Sequence, residues 1–305
     1  MKRALISTLF NEAGNIGQWL ECLSRQTVPP DEIVIVDGES TDGTWETLQA
    51  FAARSAVPVI LIRQHCNIAE GRNRAIKETD ADIVATIDGG SFAEPDWFAQ
   101  ITKPLADDPE LDMVGGRSLL VYENAFQQFL QQIEPRPESA HDGGGVRRVT
   151  PPCPNMSSRN AAFRRRAWAD VGGYPEWLTL TAEDALFNVA LGRIGKAFAY
   201  NPDAVVRWPV RSTEKAFLKM QYNYGFGSAE AQLDASFFLK RLVIAIFPLL
   251  LLLSRHRLRH LRFRYLKNYA SAIGWLRGKL MGRRPPAGWR RFDGVLLGPE
   301  AQKHL

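Results

Sequence analysis

What most constrains this chain is a unit that repeats through its first third: a short apolar run, then a stretch with helical spacing. Ala4–Leu9 reads as a strand and Ile16–Leu23 as the helix that follows. Glu32–Asp37 is a second strand, and Thr44–Ala53 a helix whose start is marked by Ser40, Thr41 and Asp42. Val57–Arg63, Ala69–Lys77 and Ile83–Ile87 continue the alternation. Strand–helix units of this length predict a mostly parallel sheet with helices on both faces. Ligands in such sheets bind beyond the carboxyl ends of the strands. Two of the runs end there on an acid, Asp37 and Asp88. A turn or a helix cap would account for either acid alone; both together point to one crevice. Further on, Met113–Tyr122 reads as a strand, Ala125–Ile133 as a helix, and Glu134–Pro154 as a mobile loop rich in Pro, Gly and charge. His141 and the triplet Gly143-Gly144-Gly145 lie in that loop, outside any strand–turn–helix context, so neither marks a site. Ala182–Gly192 is a helix that opens on Glu183 and Asp184.

With 305 residues, the chain has room for one large α/β domain and an appendage. Its 45% hydrophobic and 23% charged residues are the balance of a folded protein. Cys22, Cys66 and Cys153 are scattered, which argues against a disulfide framework or a zinc site and suits a reducing compartment. The basic start at Lys2 and Arg3 leads into no apolar stretch long enough for a signal peptide. Charge is unevenly spread. From Ser254 onward there are 13 Lys and Arg against 2 Asp and Glu, so the net +5 of the chain belongs to the tail. Leu242–Leu253 is an unbroken apolar run containing Pro248, shorter than the ~20 residues of a bilayer span. A core helix, a re-entrant segment or an interfacial helix fits it better. In Ser254–Lys267, Arg255, Arg257, Arg259, Arg262, Arg264 and Lys267 alternate with Leu258, Leu261, Phe263, Tyr265 and Leu266. That composition predicts a helix lying on an anionic membrane surface, and favours lipid over nucleic acid. The expected division is residues 1–232 as the main domain and 233–305 as an apolar and basic, helical, membrane-associated tail.

Seven segments in order carry a resemblance. They are Ser7-Thr8-Leu9-Phe10-Asn11-Glu12, the run from Glu32 to Thr44, Asn67 with Gly71-Arg72-Asn73-Arg74, and Asp88 with Pro95-Asp96-Trp97. Asn160-Ala161-Ala162-Phe163-Arg164-Arg165, Val171-Gly172-Gly173-Tyr174-Pro175-Glu176 and Glu183-Asp184 complete the set. Across roughly residues 3–230 the chain resembles the family-2 glycosyltransferases with the GT-A fold, a Rossmann-like, mostly parallel sheet. The resemblance implies a transferase that moves a sugar with inversion from a nucleotide-sugar donor, UDP-sugars being favoured, to a lipid-linked or polysaccharide acceptor. By it, Thr8, Glu12 and Asp37 hold the base and ribose, and Arg72 lies beside the nucleotide. Asp184 is the general base and Glu183 contacts or positions the acceptor. The same two acids would also suit a helix N-terminus on dipole grounds alone. The implied setting is the cytoplasmic face of the inner or plasma membrane, in cell-envelope or exopolysaccharide synthesis.

The chain departs from the family pattern at two places. The family carries Asp-x-Asp after the fourth strand, the second acid binding manganese or magnesium; here the run is Asp88-Gly89-Gly90. Near the family's metal-binding His stands Trp208. The expectation is that Asp88 binds a metal weakly or not at all, so magnesium or manganese is weakly required or absent. Arg211, with Arg207, is then the expected counter-charge for the diphosphate. A catalytically impaired nucleotide-sugar-binding or scaffold protein is the alternative. Nucleotidyltransferases and dinucleotide-dependent dehydrogenases are excluded, because Ser7–Gly14 holds neither a Gly-rich Lys loop nor GxGxxG.

Overall fold

The computed structural model describes residues 1–134, 145–150, 156–233, 235–246 and 260–305. The first third alternates as read from the sequence: β1 (Arg3–Leu9), α1 (Ile16–Ser24), β2 (Glu32–Asp37), α2 (Thr44–Ala52), β3 (Val59–Arg63), α3 (Ile68–Lys77) and β4 (Ile83–Ile87). There follow β5 (Phe92–Ala93), α4 (Trp97–Asp107), β6 (Met113–Val121), α5 (Ala125–Ile133), β7 (Arg147–Val149), β8 (Asn160–Arg164), α6 (Arg165–Asp170), α7 (Glu183–Arg193) and β9 (Phe198–Pro209). The rest comprises α8 (Glu214–Glu230), α9 (Ala235–Ile246), α10 (Leu261–Met281), β10 (Arg290–Phe292), β11 (Val295–Leu297) and α11 (Pro299–Gln302).

The sheet order is β3-β2-β1-β4-β8-β6-β9-β5, with β7 also on β9. β3, β2, β1 and β4 are parallel, whereas β8 runs antiparallel to both β4 and β6. Side chains alternate across the sheet, as the two-residue period of a strand requires. Leu5, Leu9, Ile33, Ile35, Ile83 and Ile87 pack on one face with Trp19, Trp97 and Phe98 of α1 and α4. Ile6, Val34, Val36 and Val84 pack on the other with Ile76, Phe163, Tyr174 and Phe187. Burial on both faces is why these strands read as continuous apolar runs rather than alternating ones.

Two expectations need correction. The segment read as a loop over Glu134–Pro154 contains β7, which pairs with Phe198–Tyr200 of β9; residues 135–144, with His141, Gly143 and Gly144, and 151–155 lie outside the described residues. The tail is not purely helical. β10 and β11 form a hairpin, Leu297 and Ala301 are buried against the α3, α6 and α7 face, and Leu296 packs with Trp177 and Leu178. Among the described residues no helix is long and apolar enough to cross a membrane. The apolar run is described as far as Ile246, in α9; Arg255, Arg257 and Arg259 lie outside the described residues. Of the other basic residues read as lipid-facing, Arg262 pairs with Glu214, Arg264 donates to the Ile133 carbonyl at 3.2 Å, and Lys267 pairs with Glu134.

Candidate active site

Parallel strands bring their carboxyl ends to one edge, and there the fold gathers residues from distant parts of the chain. Asp88 follows β4, and its backbone carbonyl accepts the Trp19 indole N–H at 3.1 Å. Arg72 comes from α3, a helix set by a reciprocal cap in which Asn67 and Glu70 satisfy each other's backbone N–H. Its guanidinium, only 5% exposed, donates to Asp88 Oδ1 at 2.7 Å and to Glu183 Oε1 at 2.5 Å. Its carbon lies 5.4 Å from the centroid of the Tyr174 ring. Burial alone would lower the pKa of this cation, yet Asp88 and Glu183 together carry it above its ordinary value.

Glu183 and Asp184 open α7. Ala182 before them has φ +78°, a left-handed conformation that costs a residue with a Cβ ~1–2 kcal/mol. Burial lifts the Glu183 carboxyl to about 7, outweighing the pairing with Arg72, and Asp184 adds to the rise. Asp184 Oδ1 accepts from the Ala185 N–H at 2.8 Å, and Oδ2 accepts from the Ser157 hydroxyl at 3.1 Å and, at 3.4 Å, from the Ser158 N–H. The loop that grips Asp184 therefore ends on Arg159. The Arg159 guanidinium carbon is 3.6 Å from the centroid of the Trp208 ring, and its Nε is 3.9 Å from Asp88 Oδ2. Asp88, Arg72, Glu183, Asp184, the Ser157–Arg159 loop and Asp88 again form a closed circuit of contacts.

Three of the expected residues have protein partners. Asp37 is fully buried: it accepts from the Ser40 N–H at 3.0 Å and the Ser40 hydroxyl at 2.5 Å, with Arg63 Nε 3.7 Å away. It shapes the turn after β2. Arg207 is 61% exposed and donates to Glu94 at 2.5 Å. It neighbours Trp208 in β9, so strand alternation sends the two side chains to opposite faces. Arg72 donates to two carboxylates, Asp88 and Glu183. Arg211 lines a cleft with Trp208, Leu120, Tyr122 and Phe217, and it lies close enough to Glu12 to favour that carboxylate. Burial nevertheless raises the pKa of Glu12. The Thr8 hydroxyl is buried without a hydrogen-bond partner. Ser157, Ser158 and Arg159 were not foreseen, although they directly precede the recognised Asn160-Ala161-Ala162-Phe163.

The glycosyl transferase family 2 model matches residues 5–172, more than half of the chain. The chain belongs to this family. The glycosyltransferase AglE of Haloferax volcanii is 24% identical over 74% of this chain and 73% of its own length. The O-antigen chain rhamnosyltransferase RfbN of Salmonella typhimurium is 25% identical over 74% and 72%. Among solved structures, the Pyrobaculum calidifontis mannosyltransferase PcManGT, in complex with GDP-Man and Mn2+, superposes with TM-score 0.62 at 17% identity, covering 93% of this chain and 88% of that one. Residues 1–349 of S. aureus TarS, in complex with UDP, give 0.55 at 17% identity, covering 97% and 96%. These two share the fold.

The manganese of PcManGT raises the question of whether this glycosyltransferase is built to hold one. Asp88 already faces a guanidinium on each oxygen, and Gly90, at φ +68°, brings no side-chain donor. Trp208 offers only a donor N–H and lies under Arg159. Among the described residues no group of three His, Cys, Asp or Glu could hold a metal ion. The donor set does not fit a protein-held divalent cation of the kind that takes oxygen ligands.

Proposed function

We propose that this glycosyltransferase moves a sugar, with inversion, from a nucleotide-sugar donor to a lipid-linked or polysaccharide acceptor, and that Asp184 is its general base. The observation that carries the reading is the Arg72 bridge between Asp88 and Glu183, which ties the strand-end acid to the acidic start of α7. In the reaction, the acceptor oxygen attacks the anomeric carbon and its proton passes to the Asp184 carboxylate. The bond from that carbon to the diphosphate oxygen breaks, and the electron pair leaves on the diphosphate. Ser157 and the backbone N–H groups of Ser158 and Ala185 orient the base. Glu183, raised in pKa and held by Arg72, positions the acceptor side of the site. Glu12 and Thr8 face the nucleoside, and the Thr8 hydroxyl is buried without a hydrogen-bond partner. UDP-sugars are the favoured donors. Transfer does not depend on a protein-held metal, and the enzyme works at the cytoplasmic face of a membrane, attached through its C-terminal helices.

The test is transfer from a panel of nucleotide sugars to extracted lipid-linked acceptors, with and without chelator. Asp184→Asn keeps the size of the side chain but is a far poorer proton acceptor. Its turnover is expected to fall by roughly 10²- to 10⁴-fold while nucleotide affinity by calorimetry stays near wild type. Near-normal turnover of the variant would remove Asp184 from the role. Nucleotide binding without any transfer by the wild type would favour a binding protein.

A further inference from the structure

Arg159 is held at the site by contacts that leave its hydrogen-bonding capacity largely unused. Its side chain is 18% exposed and its guanidinium lies over the Trp208 ring. The nearest carboxylate oxygen, Asp88 Oδ2, is 3.9 Å from its Nε, beyond hydrogen-bond length. That Nε is buried and has no hydrogen-bond partner. A guanidinium carries five N–H donors in a rigid fork suited to phosphate oxygens. An aromatic face beneath such a cation fixes its plane without consuming those donors. Asp88 does not compel the contact either, since Arg72 already neutralises it at 2.7 Å.

The position fits a task that Arg207 and Gly90 leave open, with Arg211 in the cleft beside Trp208 and close to Glu12. When a sugar leaves a nucleoside diphosphate, negative charge builds on the diphosphate oxygen, and a preorganised cation lowers the barrier. Arg207 is turned to Glu94, and Gly90 supplies no metal ligand. Arg159 is joined through Ser157 and Ser158 to Asp184, so one short stretch sets both the proton acceptor and this cation. We propose that Arg159, seated on Trp208, binds the donor diphosphate beside Arg211 and neutralises its charge as the sugar departs. This rests on the nucleotide-sugar reading given above. Phosphate oxygens take up the free N–H groups, and Asp88 stays paired with Arg72. Lys would be a poorer substitute, because an ammonium gives charge without the planar fork and stacks less well on Trp208.

The test is calorimetry in the presence of chelator, with UDP, GDP and dTDP each compared with its own nucleoside. Wild type is expected to bind at least one diphosphate more tightly than the nucleoside. Arg159→Ala should lose that advantage, weakening the diphosphate roughly 10- to 100-fold and leaving the nucleoside unchanged; Arg159→Lys should keep part of it. Should Arg159→Ala lower the melting temperature, Arg159→Gln, neutral and able to fill the same space over Trp208, gives the same comparison. Pyrophosphate should displace the diphosphate from wild type. An undiminished diphosphate advantage in the neutral variants, or an equal loss for nucleoside and diphosphate, would overturn the role of Arg159 and leave the donor reading standing. Wild type that binds none of the three nucleotides would overturn the donor reading, and this proposal with it.

Discussion

Removing the Arg72 guanidinium would strip Asp88 and Glu183 of the cation they share. Glu183 is almost fully buried and Asp88 partly so, and breaking such an arrangement from one side typically costs ~3–5 kcal/mol. Arg72→Met, similar in length, should therefore lower the melting temperature by many degrees in calorimetry; a shift within a degree or two would mean that the bridge contributes little. Glu183 adds a pH dependence. Its folded pKa of about 7 stands above the ordinary 4.5, so the folded chain holds a proton there that the unfolded chain releases. The stability from this group is fully present below about 4.5 and is lost as pH rises through about 7. Glu183→Gln keeps the size, cannot titrate, and should flatten that part of a denaturant-midpoint profile against pH. A profile with the wild-type slope would place the titration elsewhere. Asp88, Arg72, Glu183 and Asp184 were legible in the sequence because they stand in recognisable blocks at strand ends and helix starts. Arg159 was not, because its role comes from Trp208 and Asp88, each about fifty or more residues away. Arg207 was misplaced although strand alternation forbids it the side taken by Trp208.

At the scale of elements, the parallel core was legible because its apolar runs are its strands, whereas the C-terminal third hid its order in contacts between helices. α8 and α10 touch backbone to backbone. A Cβ on Gly274 would lie 2.1 Å from the Tyr222 carbonyl oxygen, and one on Gly225 would lie 2.2 Å from that of Ser271. No rotamer relieves a clash with backbone, so Gly274→Ala should force the helices apart and destabilise by ~1–3 kcal/mol. Gly17 in α1 is the contrast: nothing lies within 4 Å of its added Cβ, and Ala is the better helix former by ~1 kcal/mol. Thermal melts should move in opposite directions for Gly274→Ala and Gly17→Ala; a shared direction would contradict the packing argument. The hairpin of β10 and β11 did have a local signal. Asp293-Gly294 joins the strands with φ +42° and +86°, the positive pair that a tight hairpin turn demands. An Asp-Gly between Arg290–Phe292 and Val295–Leu297 is that signature, and the basic composition of the tail masked it.

Seen as a whole, the molecule keeps its polar site at one edge of the sheet, and the C-terminal helices carry runs of exposed apolar residues. Leu239, Val243 and Ile246 follow one another at helical spacing along α9, each about half exposed, while Phe238 turns inward to stack on Trp275. Tyr269, Leu276 and Leu280 are exposed along α10. Solvent-facing apolar stripes next to basic residues suit a membrane interface. The described cations of the predicted lipid-binding stretch are less available than composition implied, since Arg262 and Lys267 are paired with acids and Arg264 with a carbonyl. Attachment should therefore depend more on the apolar stripe than on charge. Burying the exposed half of each α9 side chain is worth about 1 kcal/mol, so the three together give about 3 kcal/mol, roughly two orders of magnitude in partitioning. Leu239→Ser, Val243→Ser and Ile246→Ser combined should lower binding of the full chain to anionic vesicles by about that factor in co-sedimentation. Raising the salt, which screens surface charge beyond ~10 Å at 0.1 M, should reduce binding of the wild type by less. If salt abolishes binding while the triple variant retains it, the basic residues carry the attachment and the stripe does not.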